Sequence, residues 1–569
     1  MSDFAEYWQR RAVGRRAVLR GAFVGGVSLA GAALIGCGGS KPETASTPAA
    51  GGTAGAQGTA AAAAQPKRGG RVSVLKPGAP LGFDPHFALN WQYLTYASPV
   101  FSQLVRIDPT KSFPTDPSQI VPDLAEKWEF SPDGKTMVFS LRKGVKWHDG
   151  SAFTAKDVKW SIERMADPKT TFFSGDLIGL DKVETPDDFT VRVNWKQPSA
   201  GRLGTFASGY STILSQEYHS KKDRKKEEFA MGTGPFKLTS FTSGREYKYD
   251  RNPDYYIPNR PYLDGIDAKI TSVEALLPAM ISGQGDINYW MRGGVSTEEN
   301  AKQIRSQAPK LKIWEENKTP RPLGRGVYFN SQVQGPWQNP DVRKALALGV
   351  DPLGVLASQG EGWGIRHGWF MPGMALDIKE VDKLVGWDKP MAERLKEAKA
   401  LLEKAGFKDG FKSRGLVRSS AEYLGYTQLI IADWKKNLNV DIALDVVDTA
   451  TEVDRRQRHD YGILFFLSAL RTGIHPVELA SQFVSGAVEN WSGIGDPAVD
   501  ALFAKMGGLA SGPELKAVAS EANTLLLKSL GGIPFYFNVD MSLSKPEIKG
   551  LTGQVWLSNE DLVNVWRDA

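Results

Sequence analysis

One cysteine, Cys37, stands in 569 residues, so no disulfide can form within the chain. Histidine is scarce as well. His86, His148, His219, His367, His459 and His475 are scattered, and no two stand at metal-ligand spacing, so no metal is expected. Gly-x-Ser-x-Gly, His-Glu-x-x-His, Cys-x-x-Cys and phosphate-loop patterns are all missing, so no catalytic residue and no cofactor is nominated. Gly360-Glu361-Gly362-Trp363-Gly364 is glycine-rich without dinucleotide spacing and reads as a loop. A strong charge imbalance is also lacking. The formal charge is +6, and Arg10, Arg11, Arg15, Arg16 and Arg20 against Asp3 and Glu6 supply half of it. The remainder is too small for a nucleic-acid partner.

What is present begins at the amino end. Arg15-Arg16-Ala17-Val18-Leu19-Arg20 precedes the uncharged segment Gly21 to Gly36, which is shorter than the ~20 apolar residues needed to span a bilayer. A basic region, a short apolar region and small residues describe a secretory signal over residues 1–36. The arginine pair looks like a twin-arginine export motif. Leu34-Ile35-Gly36-Cys37 is similar to a lipobox, in which the cysteine is lipidated. Residues 37–67, rich in Gly, Ala, Ser, Thr and Pro, bury too little apolar surface to offset their ordering entropy and read as a flexible spacer. The expected location is extracytoplasmic, on the outer face of a cell membrane, held by a lipid on Cys37.

The folded part is expected from about Gly69. Arg71 to Leu75 alternates as a first strand, and Trp128 to Leu141 reads as a hairpin around Ser131-Pro132-Asp133-Gly134. Thr154-Ala155-Lys156-Asp157 predicts a capped helix through Arg164. Asn339-Pro340 and Asp496-Pro497 each place a cap residue before a helix-starting proline, and Met391 to Ala405 reads as a helix closed by Gly406. Strands and helices alternate without a fixed repeat, which predicts a mixed α/β protein with more than one lobe. Tryptophan is abundant, at 16 residues. Trp128 and Trp160 fall inside patterned elements and are expected in the core. Trp91, Trp363, Trp369 and Trp491 fall beside glycines or polar residues in expected loops and are candidates for stacking on a ligand, although packing is the commoner role.

Phe83-Asp84-Pro85-His86, Val121 to Trp128, Ser131 to Lys135, Phe139 to Gly150 and Thr154 to Val158 together resemble the signature region of the dipeptide/oligopeptide solute-binding proteins of ATP-driven importers. Gly232 to Phe236, Arg251 to Tyr256, Ser282 to Asp286, Asp341 to Leu346, Ala398 to Phe407 and Ile533 to Tyr536 follow in that family's order. The resemblance implies a type II periplasmic-binding-protein-like α/β fold with two hinged lobes and an extra domain. Lobe I would combine 68–104, 230–325 and 539–569; the extra domain would cover 105–229, and lobe II 326–538. It also implies a monomer that closes on a small-molecule solute and is recognised by membrane permease subunits.

The resemblance further nominates ligand contacts. Leu89, Asn90 and Trp91 follow Pro85-His86, and Phe172 and Phe173 follow Asp167-Pro168. Tyr423 precedes Trp434 to Asn437, and Leu470, Arg471 and Thr472 precede His475-Pro476. Peptide-binding members carry an Asp four residues before that proline, where it pairs with the ligand's amino terminus; Thr472 stands there instead, beside Arg471. A buried ammonium without a carboxylate costs several kcal/mol. Saccharides or carboxylate-bearing solutes are therefore expected to bind better than free-amino peptides, unless Glu478 or Glu489 supplies the missing acid. For Arg471 itself, an ion pair within the protein is as reasonable as a ligand contact. A ligand-sensing or chaperone-like protein would share the fold and the anchor, and a secreted hydrolase is a more distant alternative.

Overall fold

The computed structural model describes residues 65–569 apart from 81, 88–90, 109–116, 172–173, 292–296, 315–322, 359–361, 540, 552–561 and 569, and without the side chains of 91–93, 117 and 289–291. The nominated Arg15, Arg16, Cys37, Leu89, Asn90, Phe172 and Phe173, and the Trp91 side chain, therefore lie outside the described residues.

The two largest sheets are mixed. A seven-stranded sheet runs, in spatial order, Lys312–Trp314, Met541–Ser544, Ile287–Met291, Arg71–Pro77, Gly265–Thr271, Glu246–Arg251 and Phe236–Thr242. Its middle strand, Arg71–Pro77, continues two residues beyond the expected end and pairs in parallel on both sides. A six-stranded sheet runs Gly364–Arg366, Gly532–Asn538, Leu323–Phe329, Ile463–Ala469, Lys412–Arg418 and Asp441–Val447. Leu323–Phe329 and Gly532–Asn538 are buried along their whole length, because both faces of the sheet are covered. Trp369 lies across their middle. A Cβ at Gly532 would stand 2.5 Å from the Val327 carbonyl oxygen and 2.9 Å from the Trp369 ring, so only glycine lets the ring approach.

A third sheet is antiparallel, in the order Ala125–Phe130, Thr136–Leu141, Thr190–Trp195 and Leu180–Asp187. Its first turn closes at Gly134, whose φ of +67° lies in the left-handed region that favours glycine. Met137, Phe139 and Leu141 point inward from every second position. The helix Ala155–Ala166 covers them, and Thr154 and Asp157 form the expected reciprocal cap. Asn339 and Asp496 cap their helices as expected, and Met391–Lys404 is followed by Gly406 at φ +86°. Two core expectations are corrected: Trp128 and Trp160 are only half-buried, because each packs one side on a core and leaves the other to solvent. Gly364 opens a short strand rather than continuing a loop.

The connectivity carries the main mechanical consequence. The chain passes between the seven- and six-stranded sheets twice, from Trp314 to Leu323 and from Asn538 to Met541. The passing strands are neighbours on both sides: Trp314 pairs with Ser542, and Gly324 pairs with Phe537. Leu323–Arg325, which the expected boundary assigned to the first lobe, already belongs to the six-stranded sheet. Among the described residues, no helix is long and apolar enough to cross a membrane.

Candidate functional site

The register of the six-stranded sheet gathers several strand ends on one edge. Leu323 stands opposite Ala469, Gly324 opposite Phe537, Gly364 opposite Asn538, and Arg418 opposite Val447. The carboxyl ends of four strands thus meet the starts of two others, the place where open α/β sheets leave a crevice for ligands. Trp363 sits here, its carbonyl accepting a 3.1 Å hydrogen bond from the Val539 amide at the crossing between sheets. Tyr423 sits here too, in the first turn of the helix Ala421–Leu438 that follows Arg418. Leu470, Arg471 and Thr472 leave the same edge directly after Ile463–Ala469.

A cationic and aromatic cluster forms around Tyr423. The Arg325 and Arg418 guanidinium carbons lie 4.9 and 5.1 Å from its ring centroid, and Phe466 stacks on it at 5.9 Å. Arg456 lies 4.1 Å from the Phe466 centroid and 4.4 Å from that of Trp491. Two acids compensate these three cations. Glu452 pairs with both Arg418 and Arg456, the latter donating from Nε at 2.6 Å, while Glu422 pairs with Arg325. Burial raises the Glu452 carboxyl, but Arg456 and Arg418 outweigh it and hold the group below its ordinary value. Burial likewise opposes the charge on Arg418, and Tyr423 and Glu452 outweigh that. Arg325 is 1% exposed, donates from Nε to Asn538 Oδ1 at 2.9 Å, and has no hydrogen-bond partner for Nη1 among the described residues.

The region after Ala469 is held by ion pairs and hydrogen bonds within the protein. Arg471 is buried and donates from Nε to Asp176 Oδ2 at 3.0 Å while pairing with Glu489. Burial opposes the charge on Arg471, but Asp176 and Glu489 raise its pKa above the ordinary value. Thr472, fully buried, directs both its amide, at 2.8 Å, and its hydroxyl to Glu478, which also accepts the Gly473 amide at 3.0 Å. Neither acid considered as a substitute for the missing Asp is therefore vacant: Glu478 serves Thr472 and Gly473, and Glu489 serves Arg471 and Ser481.

Three tryptophans nominated as exposed loop aromatics are core residues. Trp363, Trp369 and Trp491 are 3%, 2% and 3% exposed. Trp369 packs against Tyr328 and Phe483, and Trp491 against Phe466 and His459. Gly326 and Gly532, distant in sequence from Trp369, make room for its ring. Arg325, Arg418, Glu422, Glu452 and Arg456 were not nominated from the sequence. Arg418 at a strand end directly before the helix carrying Tyr423 was a usable signal; Arg325 and Glu422, 97 positions apart, offered none. Among the described residues, no three His, Cys, Asp or Glu side chains gather as a metal site.

The family model for bacterial extracellular solute-binding proteins, family 5, matches residues 119–489. The periplasmic oligopeptide-binding protein OppA of Haemophilus influenzae is 24% identical over 84% of this chain and 91% of its own. The binding protein AgaA of A. tumefacien R10, solved with agropinic acid, superposes with a TM-score of 0.75 at 24% identity over 88% of this chain and 99% of its own. The Escherichia coli murein tripeptide binding protein MppA, at 20% identity over 88% of this chain, superposes with a TM-score of 0.73 in one structure, covering 98% of that chain, and 0.62 in its unliganded open form, covering 97%. With the model matching well over half of its residues, the chain belongs to the family 5 bacterial extracellular solute-binding proteins.

Proposed function

We propose that the protein is the lipid-anchored capture component of an ATP-driven importer, taking a small carboxylate-bearing solute between two closing lobes and presenting it to a membrane permease. The observation that carries this reading is the pair of adjacent crossings between the two large sheets, beside an edge lined by arginine and tyrosine. Two chain connections resist rotation far less than a packed interface does, so the sheets serve as lobes about a hinge. Lobe I contains the seven-stranded sheet, lobe II the six-stranded sheet, and the extra domain the four-stranded one. The better superposition on one MppA structure than on its open form supports a closed arrangement.

The chemistry of the edge favours an acidic solute. Guanidinium groups bind carboxylates with paired, charge-assisted hydrogen bonds, and Arg325 Nη1 has no hydrogen-bond partner among the described residues. Cys37 carries the anchor in this reading, with Arg15 and Arg16 directing export, and the protein acts as a monomer without enzymatic turnover. Mass spectrometry of solute released from protein purified out of its native host tests the function. An organic acid that raises the melting temperature of the emptied protein is the expected result; turnover of the solute would refute it. Cys37→Ala should release the protein from membranes, and retention there would remove the anchor.

A further inference from the structure

The pocket around Arg471 holds more negative charge than its contacts use. Asp176 comes from the turn Ser174–Leu177, next to the four-stranded sheet, whereas Arg471 and Glu489 come from segments following Ile463–Ala469. The side chains of Arg471, Asp176 and Glu489 are 8%, 9% and 14% exposed. Asp176 Oδ1 is buried and accepts no hydrogen bond among the described residues, although Oδ2 accepts from Arg471. Burial raises the carboxyls of both Asp176 and the nearby Glu478; Glu489 adds to the rise at Asp176, and Asp176 adds to that at Glu478. The other cation nearby, Arg202, donates to the Asp176 backbone carbonyl at 3.0 Å rather than to its carboxylate. The Tyr210 ring closes one side, 5.6 Å from the Arg471 guanidinium. A buried carboxylate oxygen without a donor is costly unless a cation stands beside it.

We propose that Arg471 is a built-in counter-cation: tethered to one lobe, it fills an anionic pocket shared with the Asp176 segment, excludes ammonium or guanidinium groups of solutes from that pocket, and latches the two segments together. The inference deepens the solute-capture reading and rests on it for specificity, but its local chemistry is independent of any solute. Close packing around the ion pair fits a latch. A Cβ on Gly175 would stand 2.8 Å from Ser481 Cβ, and Ile474 enters the core of the four-stranded sheet. Removing the guanidinium while keeping both acids should turn the pocket into a site for small organic cations that carry N–H donors.

The experiment is chemical rescue of Arg471→Ala by ethylguanidinium chloride at millimolar concentrations, read as melting temperature, with sodium chloride and tetramethylammonium chloride as controls. Rescue of Arg471→Ala alone, absent from the unsubstituted protein and at least tenfold weaker in Arg471→Ala with Asp176→Asn, is the expected result. Equal responses in the single and double variants, or no response beyond that of sodium chloride, would overturn the proposal. If Arg471→Ala does not fold, Asp176→Asn supplies the second readout. It keeps the Arg471–Glu489 pair, and should raise the radius of gyration of the solute-free protein in X-ray scattering; an unchanged radius overturns the latch. Rescue without any solute recovered from native protein would count against the capture reading alone. Solute binding without rescue would count against this inference alone.

Discussion

Glu452 is 1% exposed and shared by Arg418 and Arg456, so its substitution removes the carboxylate that both buried guanidinium groups pair with. Glu452→Gln should lower stability by about 3–5 kcal/mol in urea titration, the cost of breaking a buried pair. A loss below about 1 kcal/mol would mean that water reaches the cluster and screens it, as at a surface pair. In the proposed capture reading, Arg418 is the residue on which solute chemistry and stability meet. Arg418→Gln should weaken binding of a carboxylate solute by about 10- to 100-fold, the usual value of a charge-assisted hydrogen bond. Calorimetry with the solute identified from native protein measures this, and unchanged affinity would move the carboxylate contact to Arg325 or away from the edge.

At the scale of elements, the strand Gly532–Asn538 joins the sheet core to the crossing at Asn538 to Met541. Its first residue has no room for a side chain, since the nearest atom to an added Cβ is the backbone Val327 oxygen at 2.5 Å. Gly532→Ala should therefore cost about 1–3 kcal/mol through forced backbone displacement. Equilibrium unfolding would show a lower midpoint with an unchanged slope, because the surface exposed on unfolding stays the same. A neutral result would show that Trp369 gives way easily, contrary to a ring held by Tyr328 and Phe483.

Across the whole molecule, burial holds several histidines neutral. His148, His219, His367 and His475 are each pushed down to about 4, with desolvation the largest cause. His475 accepts the Val477 amide on Nδ1 and places Nε2 2.8 Å from the Leu509 carbonyl, an arrangement that suits a neutral ring with its proton on Nε2. Unfolded, such rings protonate near 6.5. Between about pH 6.5 and 4 the unfolded chain therefore binds more protons, and stability falls as pH falls. Each ring contributes on the order of 3 kcal/mol at most. Urea midpoints at pH 7.5 and pH 5 should differ clearly, and His475→Gln should reduce the difference. A midpoint independent of pH over that window would show that water reaches these rings in the folded state.

Hinge motion belongs to the same scale. The strands that flank the two crossings are neighbours in both sheets, so solute should reduce the radius of gyration in X-ray scattering by closing one sheet region on the other. A radius insensitive to saturating solute would mean that binding takes place without closure.

Local signals were legible wherever chemistry acts over a few residues. The Thr154–Asp157 cap, the Gly134 turn, the Asn339 and Asp496 caps and the Gly406 stop all follow from backbone groups needing partners within one turn. The ordered motifs from Phe83 onward carried the family and with it the α/β architecture. The occupants of the site were decided by tertiary structure. Arg471 and Asp176 are 295 positions apart and Arg325 and Glu422 are 97 apart, and only the packing of elements distant in sequence brings such groups within contact. Trp363, Trp369 and Trp491 carry the same lesson in reverse. A glycine beside a tryptophan reads locally as a loop with an exposed ring, whereas in three dimensions the absent Cβ of Gly326 and Gly532 is the space that the Trp369 ring fills. Periodicity and capping are properties of neighbours in sequence; burial and charge pairing are properties of neighbours in space, which the chain specifies only once it has folded.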